Sequence, residues 1–179
     1  MAPARFAQGG AGERIGFSAA RTPFGWMVVG ATGRGLCWLA LGATREEAEA
    51  SLRAEFPAAE LKRDPSLARL VDAALRFVRE GDDLSAGRDT GALDLRGTVF
   101  QLRVWQALRQ IPRGTTKSYS QLARELGDPK ATRAVARACA VNRVAVLVPC
   151  HRVVGASGAL TGYRWGVEKK RALLAAEQR

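Results

Sequence analysis

The stretch that most limits how this chain can fold is Val144-Ala145-Val146-Leu147-Val148, followed at once by Pro149-Cys150-His151-Arg152. A short apolar run rich in β-branched residues reads as a buried strand. Pro149 has no N–H to donate and ends the pairing. The run must therefore sit inside the protein and deliver Cys150 to the mouth of a pocket. His151 is the only histidine in the chain. A thiol attacks as thiolate, and a free cysteine, with a pKa of about 8.5, is mostly protonated at neutral pH. The adjacent imidazole and the Arg152 cation are expected to lower that barrier. A buried cysteine can also be a plain small hydrophobe, and neighbours on a strand point to opposite faces. The surroundings must decide.

With 179 residues, 47% of them apolar and 25% charged, the chain has the composition of a soluble globular protein of one ordinary or two small domains. No stretch approaches the ~20 apolar residues of a membrane span. Met1 to Gly12 is Gly/Ala-rich without the apolar core of a signal peptide, so it reads as a frayed start of a cytoplasmic protein. The three cysteines are too few for a disulfide framework, and without a CxxC they make no zinc site. Cys37 and Cys139 read as core thiols.

Charge is segregated. Residues 1–94 carry 12 Lys and Arg against 13 Asp and Glu, whereas residues 95–179 carry 16 against 4. The basic half is the one that holds Cys150, and a one-sided basic field suits a polyanion such as nucleic acid.

Residues 14–42 read as a β meander punctuated by Gly and Thr. Thr44 caps a helix that Phe56-Pro57 ends, and a second helix runs from Ser66 to Arg79. This first unit carries no catalytic constellation and reads as structural. Residues 81–93 read as a linker, dividing the chain into 1–92 and 93–179. A helix starts at Thr98 and stops at Pro112-Arg113-Gly114. Ser118, with Gln121 as its capping-box partner, opens the first helix of a helix-turn-helix outline; Lys130 to Ala140 is the second. That second helix is rich in alanine, with Arg133 and Arg137 four apart on one side. Such a helix can approach another surface closely while its arginines reach phosphates or bases. Asn142 follows as a C-cap or as a tie from the helix end to the reactive loop. Gly162-Tyr163-Arg164-Trp165-Gly166 suits a pocket wall that stacks on a planar ligand. A last helix runs from Val167 to Glu177, whose carboxylate could fix the His151 tautomer.

With these residues in place, the chain resembles the O6-alkylguanine-DNA alkyltransferases, or methylated-DNA–protein-cysteine methyltransferases. It is especially similar to the C-terminal alkyltransferase part of the Ada proteins. The resemblance rests on Arg96 to Gln101 with Val104-Trp105, Ser118-Tyr119, Pro129 to Val135, Asn142, Val148 to Val154 and Gly162 to Gly166. It implies an α/β (α+β) fold: a small ribonuclease-H-like sheet with helices, then a mainly helical domain with the helix-turn-helix and an active-site strand and loop.

The resemblance also implies roles. Cys150 would accept the alkyl group from O6-methylguanine, and from O4-methylthymine, in duplex DNA. His151 would deprotonate it through a water, with Glu177 behind the imidazole. Asn142 would order the active-site loop. Tyr119 would help rotate the nucleotide out and protonate the leaving guanine. Arg133 would fill the gap in the base stack, with Ala131 on the face turned to DNA. Val153, Tyr163 and Arg164 would hold the flipped base, and Trp165 would narrow the pocket against bulky adducts. A thioether product with no resolving thiol nearby implies one turnover by a monomer, with no cofactor and no metal. Two other readings compete: a damage-flagging binder without transfer, which the presence of Cys150 opposes, and a helix-turn-helix regulator.

Overall fold

The computed structural model describes residues 9–80 and 92–178. Most of the expected frayed start and of the linker over 81–93 therefore lies outside the described residues. The described ends of both stretches are folded. Ala58 N–H donates to the Gly9 carbonyl, and Leu36 N–H to the Ala92 carbonyl.

The architecture is α+β. Strands β1 (Arg14–Thr22), β2 (Gly25–Thr32) and β3 (Gly35–Gly42) form the expected meander. A fourth strand, β4 (Glu60–Arg63), joins β1 in parallel, giving the order β3-β2-β1-β4. The sequence reading missed β4 because its four residues, Glu60-Leu61-Lys62-Arg63, hold a single apolar side chain and so no apolar pattern. Helix α1 (Arg45–Glu55) starts where Thr44 accepts a bond from Glu47 N–H. Helix α2 (Ala68–Glu80) buries Leu70, Val71, Ala74, Phe77 and Val78.

The second half begins on the outer edge of β3. Leu36 N–H donates to Ala92 O and Asp94 N–H to Leu36 O, so the chain returns as one extra rung of sheet. Gly35 makes this possible. At φ +142°, an added Cβ would lie 2.0 Å from the Ala92 carbonyl oxygen. Asp94 and Arg96 then lock to Glu13, Thr32 and Arg34 through short ion pairs and hydrogen bonds. Further along the same edge, Leu39 N–H donates to Arg143 O and Ala145 N–H to Leu39 O. The β3 edge thus holds both the start of the second half and the segment leading to Cys150.

Helix α3 (Val99–Arg109) has a capping box, Thr98 with Gln101. Its Trp105 indole N–H reaches Ala138 O at 3.0 Å. Strand β5 (Lys117–Ser118) leads into α4 (Tyr119–Glu125), capped by Ser118 with Gln121 as expected. A 3₁₀ turn at Pro129–Ala131 precedes α5 (Thr132–Ala140). Strand β6 (Val153–Val154) pairs in parallel with β5, which brings Tyr119 beside the residues that follow Cys150. Helix α6 (Val167–Glu177) closes the fold against α2. Among the described residues no helix is long and apolar enough to cross a membrane.

Gly35→Ala should destabilise the protein by at least about 2 kcal/mol, because both the φ and the space are closed to a side chain. Thermal melting should drop by at least about 4 °C. Gly33→Ala, where a Cβ meets nothing within 4 Å, should stay within about 0.5 kcal/mol of the parent.

Candidate active site

Val144 to Val148 is fully buried, as its composition demands, but it is not a strand. This corrects the expected active-site strand. Beyond the single rung with Leu39, the segment folds on itself. Leu147 N–H bonds to Ala145 O at 2.7 Å around Val146, whose φ is +68°. That is a γ-turn, strained for a β-branched residue. Pro149, at φ −80° and ψ 62°, centres an inverse γ-turn closed by Cys150 N–H to Val148 O. An apolar run shows burial; it does not distinguish a ladder from a coil whose polar groups find other partners.

Asn142 is that partner. It is fully buried, and its Nδ2 donates to Val148 O at 2.8 Å, to Val144 O at 3.3 Å and to Cys150 Sγ at 3.2 Å. Its Oδ1 accepts from Val144 N–H. One amide therefore fixes the loop and touches the thiol.

Cys150, His151 and Arg152 form a 3₁₀ turn, all three buried. His151 Nε2 lies 2.8 Å from Glu177 Oε1. Arg152 also binds Glu177, through Nε and NH2, and gives NH1 to Ile111 O. Burial pushes the Glu177 carboxyl up, but hydrogen bonds from His151 and Arg152 outweigh it and hold it at about 2. Glu177 is thus an acceptor only, so Nε2 carries the proton. Burial also lowers the imidazole pKa, against the pull of Glu177. The neutral ring is left with a lone pair on Nδ1, which has no partner among the described residues.

The thiol is not the low-pKa group the sequence suggested. Burial pushes Cys150 up to about 11. The Asn142 hydrogen bond and the charges of Lys170 and Arg164 oppose that rise. The Arg152 guanidinium, adjacent in sequence, is bound to Glu177 rather than to the sulfur.

Lys170 escaped the sequence reading. It is fully buried, and its Nζ donates to Val153 O at 2.6 Å, Thr161 O and Gly162 O. The signal was its spacing. Lys170, Leu173 and Glu177 are three and four residues apart, on one face of α6.

Cys150 lies in the wall of a cavity of about 500 Å³. Of the expected site residues, Tyr119, Tyr163 and Arg164 line it too, joined by Cys139 and by Ala136 and Ala140 of α5. The Tyr119 hydroxyl donates to Thr161 O at 3.3 Å, and burial raises its pKa to about 12, so it is a protonated donor at neutral pH. Val153 is buried in β6 with its carbonyl held by Lys170. Trp165 does not reach the cavity surface. It meets Tyr163 edge to face at 5.2 Å and lies under the Arg164 guanidinium at 5.8 Å, so any effect on pocket width passes through those two lining residues. Arg133 on α5 is exposed, whereas Ala131, in the 3₁₀ turn before it, is buried against the core, which corrects its expected place on the face turned to DNA. Cys139 is buried as expected, yet it shares the cavity with Cys150, which corrects the expectation of no second thiol nearby. Among the described residues no three His, Cys, Asp or Glu side chains come together as a metal site.

The first half also reaches this site. Glu55, at the end of α1, binds Arg143 and Arg164, and Arg164 NH1 donates to Asn142 O.

Residues 99–179 match the family model described as 6-O-methylguanine DNA methyltransferase, DNA binding domain. Over 180 aligned residues, 99% of this chain and 49% of the relative, the sequence is 44% identical to the bifunctional transcriptional activator/DNA repair enzyme Ada of Escherichia coli. It is 58% identical over 86 residues to the methylated-DNA–protein-cysteine methyltransferase of Mycobacterium bovis, covering 48% of this chain and 52% of that protein. The chain therefore spans about half the length of the curated relatives it matches. Among solved structures, the Mycobacterium tuberculosis O6-methylguanine methyltransferase superposes with a TM-score of 0.70 at 38% identity, over 92% of this chain and 93% of that one. The OGT protein of the same organism in complex with DNA gives 0.71 at 37% identity, over 91% and 92%. The O6-methylguanine-DNA methyltransferase of Pyrococcus kodakaraensis shares the fold, with a TM-score of 0.75 at 23% identity over 92% and 99%.

Because the folded pKa of Glu177 lies below the unfolded value of about 4.3, its contribution to stability is present above about pH 5 and is lost as pH falls toward 2. Glu177→Gln should cost about 3 kcal/mol at neutral pH, since it strands the buried Arg152 cation. It should also flatten the acid limb in urea unfolding measured from pH 7 to 2. An acid limb as steep as that of the parent would contradict the assignment.

Proposed function

The chain belongs to the 6-O-methylguanine DNA methyltransferase family, and from that premise we propose that it repairs O6-alkylguanine in duplex DNA by taking the alkyl group onto Cys150. The observation that carries the reading is the cavity itself, with the Cys150 thiol in its wall, Tyr119 beside it and helix α5 as one side. A guanine O6 inside a duplex is out of reach of such a thiol, so the nucleotide must rotate out at a cost of a few kcal/mol. In our reading Tyr119 assists that rotation, and Arg133 fills the gap.

The chemistry follows from the proton inventory. The resting thiol is protonated. Its proton passes through one bridging water to the Nδ1 lone pair of His151, and Glu177 stabilises the imidazolium that results. The thiolate sulfur then attacks the methyl carbon, an S–C bond forms, and the C–O6 bond breaks with its electron pair going to the purine. Tyr119 supplies the proton that the leaving guanine takes up at N3. Lys170 and the Asn142 amide stabilise the sulfur while it is negative. The backbone at Cys150, Val153 and Arg164 holds the flipped base, against Tyr163. Atoms and charges balance without a cofactor, and O4-methylthymine offers the same reacting group.

The reaction is stoichiometric in this scheme. Cys139 shares the cavity but does not restore Cys150, because a neutral thioether is not cleaved by thiol exchange, which needs a disulfide. Burial further raises the Cys139 thiol pKa and disfavours its thiolate. Residues 1–92 form a scaffold and residues 93–179 the alkyltransferase unit of a monomer that works where DNA is, in the cytoplasm.

Intact mass after incubation with a duplex bearing one O6-methylguanine should rise by one methyl group, and Cys150→Ala should abolish the gain. No gain with lesion-selective binding intact would instead support a damage-flagging role, and no selectivity at all a regulator. Tyr119→Phe should slow transfer about 10²-fold, the scale of a lost proton donor. Trp165→Gly should speed repair of O6-benzylguanine relative to O6-methylguanine by freeing Tyr163; an unchanged ratio would remove Trp165 from substrate selection.

A further inference from the structure

Helix α5 leaves four of its nine residues exposed: Arg133, Ala134, Arg137 and Ala140. The base-stack role proposed above uses Arg133 and leaves Arg137 without a task. Arg137 lies one turn further on, about 40° round the helix and about 6 Å along its axis. It is adjacent in sequence to Ala136 and three residues before Ala140, both of which line the cavity. It therefore stands level with the part of the helix that forms the cavity wall, whereas Arg133 stands a turn nearer the helix start.

No carboxylate among the described residues neutralises Arg137. The two acids that precede the helix are committed elsewhere, Glu125 to Lys117 and Asp128 to the Lys130 backbone N–H. Lys130 and Arg133 are exposed on the same segment, so the charged neighbours that precede Arg137 there are of like sign. An exposed guanidinium in that setting gains nothing within the protein. It gains when a polyanion approaches, and its fork matches two phosphate oxygens. The alanines beside it, Ala134 and Ala140, let a DNA backbone come close.

We infer that Arg137 is a second DNA contact of α5, gripping a backbone phosphate beside the cavity while Arg133 works in the base stack. This rests on the proposed DNA-repair reading. A phosphate grip beside the cavity gives the strand a fixed point about which the damaged nucleotide turns, and it carries no base preference of its own.

Salt dependence tests this directly, because each phosphate contact adds about 0.9 to the slope of log affinity against log salt. The whole chain is titrated with an undamaged duplex at several salt concentrations. The lesion-bearing duplex is compared in a Cys150→Ala background, so that it is not repaired during the measurement. Arg137→Gln should reduce the slope by about 0.9, so that its affinity deficit grows about 3.5-fold between about 200 and about 50 mM salt. The deficit should be the same factor on both duplexes, and Arg137→Lys should restore the slope. An unchanged slope, a deficit confined to the lesion duplex, or a lysine variant no better than glutamine would each overturn the assignment. A parent protein with no salt-dependent DNA binding would sink the repair reading itself, which separates that failure from failure of the Arg137 contact.

Discussion

Residues 144–149 lie in the interior without belonging to a helix or a regular sheet, so each of their backbone polar groups needs its own partner. The Asn142 amide supplies the decisive ones. It holds the carbonyls of Val144 and Val148 and the Val144 N–H, and its remaining reach ends on the Cys150 sulfur. The two carbonyls also accept from Val148 N–H and Cys150 N–H, but the Val144 N–H relies on Asn142, and a buried group left without a partner costs about 1–3 kcal/mol. Losing this side chain would also remove the hydrogen bond that most directly opposes the rise in the thiol pKa. Loop shape and sulfur reactivity therefore depend on the same group. An aspartate there could accept but not donate, and could not replace it.

The second constraint is the division of one carboxylate between two neighbours. Glu177 serves His151 and Arg152 together, all three buried. Burial, helped by the Arg152 cation, lowers the imidazole pKa against the pull of Glu177, so Glu177 orients the ring without making it a permanent cation. A ring protonated at rest could not accept a proton from the thiol. Sharing thus keeps the base available, and burial keeps the thiol neutral until a proton path exists. The reactive sulfur is protected from casual electrophiles by the same burial that makes its ionisation costly.

The parts of this arrangement that depend on local sequence chemistry were legible in advance. Thr44, Thr98 and Ser118 each cap a helix as their side chains dictate, and α6 spans Val167–Glu177 as read. What escaped depends on tertiary partners. Val144 to Val148 has a strand's composition, but its carbonyls are claimed by Asn142 from outside the run. Cys150, His151 and Arg152 are consecutive, which suggested mutual action; the tight turn instead sends His151 and Arg152 to Glu177. Lys170 stands in a Lys-Lys-Arg run that reads as a solvated face, and only its register with Leu173 and Glu177 marks it as the buried member. Trp165 sits beside a cavity-lining residue in sequence, yet the chain turns it behind Tyr163.

The first half of the chain, which carries no catalytic constellation, still bears on the site through Glu55. Burial alone would raise that carboxyl, yet hydrogen bonds and charge from Arg143 and Arg164 bring it below its ordinary value. Both arginines flank Asn142, one in sequence and one through its carbonyl. The Arg164 guanidinium also lies over the Trp38 ring at 5.0 Å, and Leu39 provides the only ladder rung of the buried loop. Three consecutive links therefore run from the end of helix α1 to the sulfur: Glu55 to Arg164, Arg164 to the Asn142 backbone, and the Asn142 side chain to Cys150. Without the first half, Arg143 and Arg164 would lose the Glu55 counter-charge and the loop would lose its rung on Leu39, although every residue that lines the cavity lies in the second half. The reactive geometry is thus a property of the whole fold.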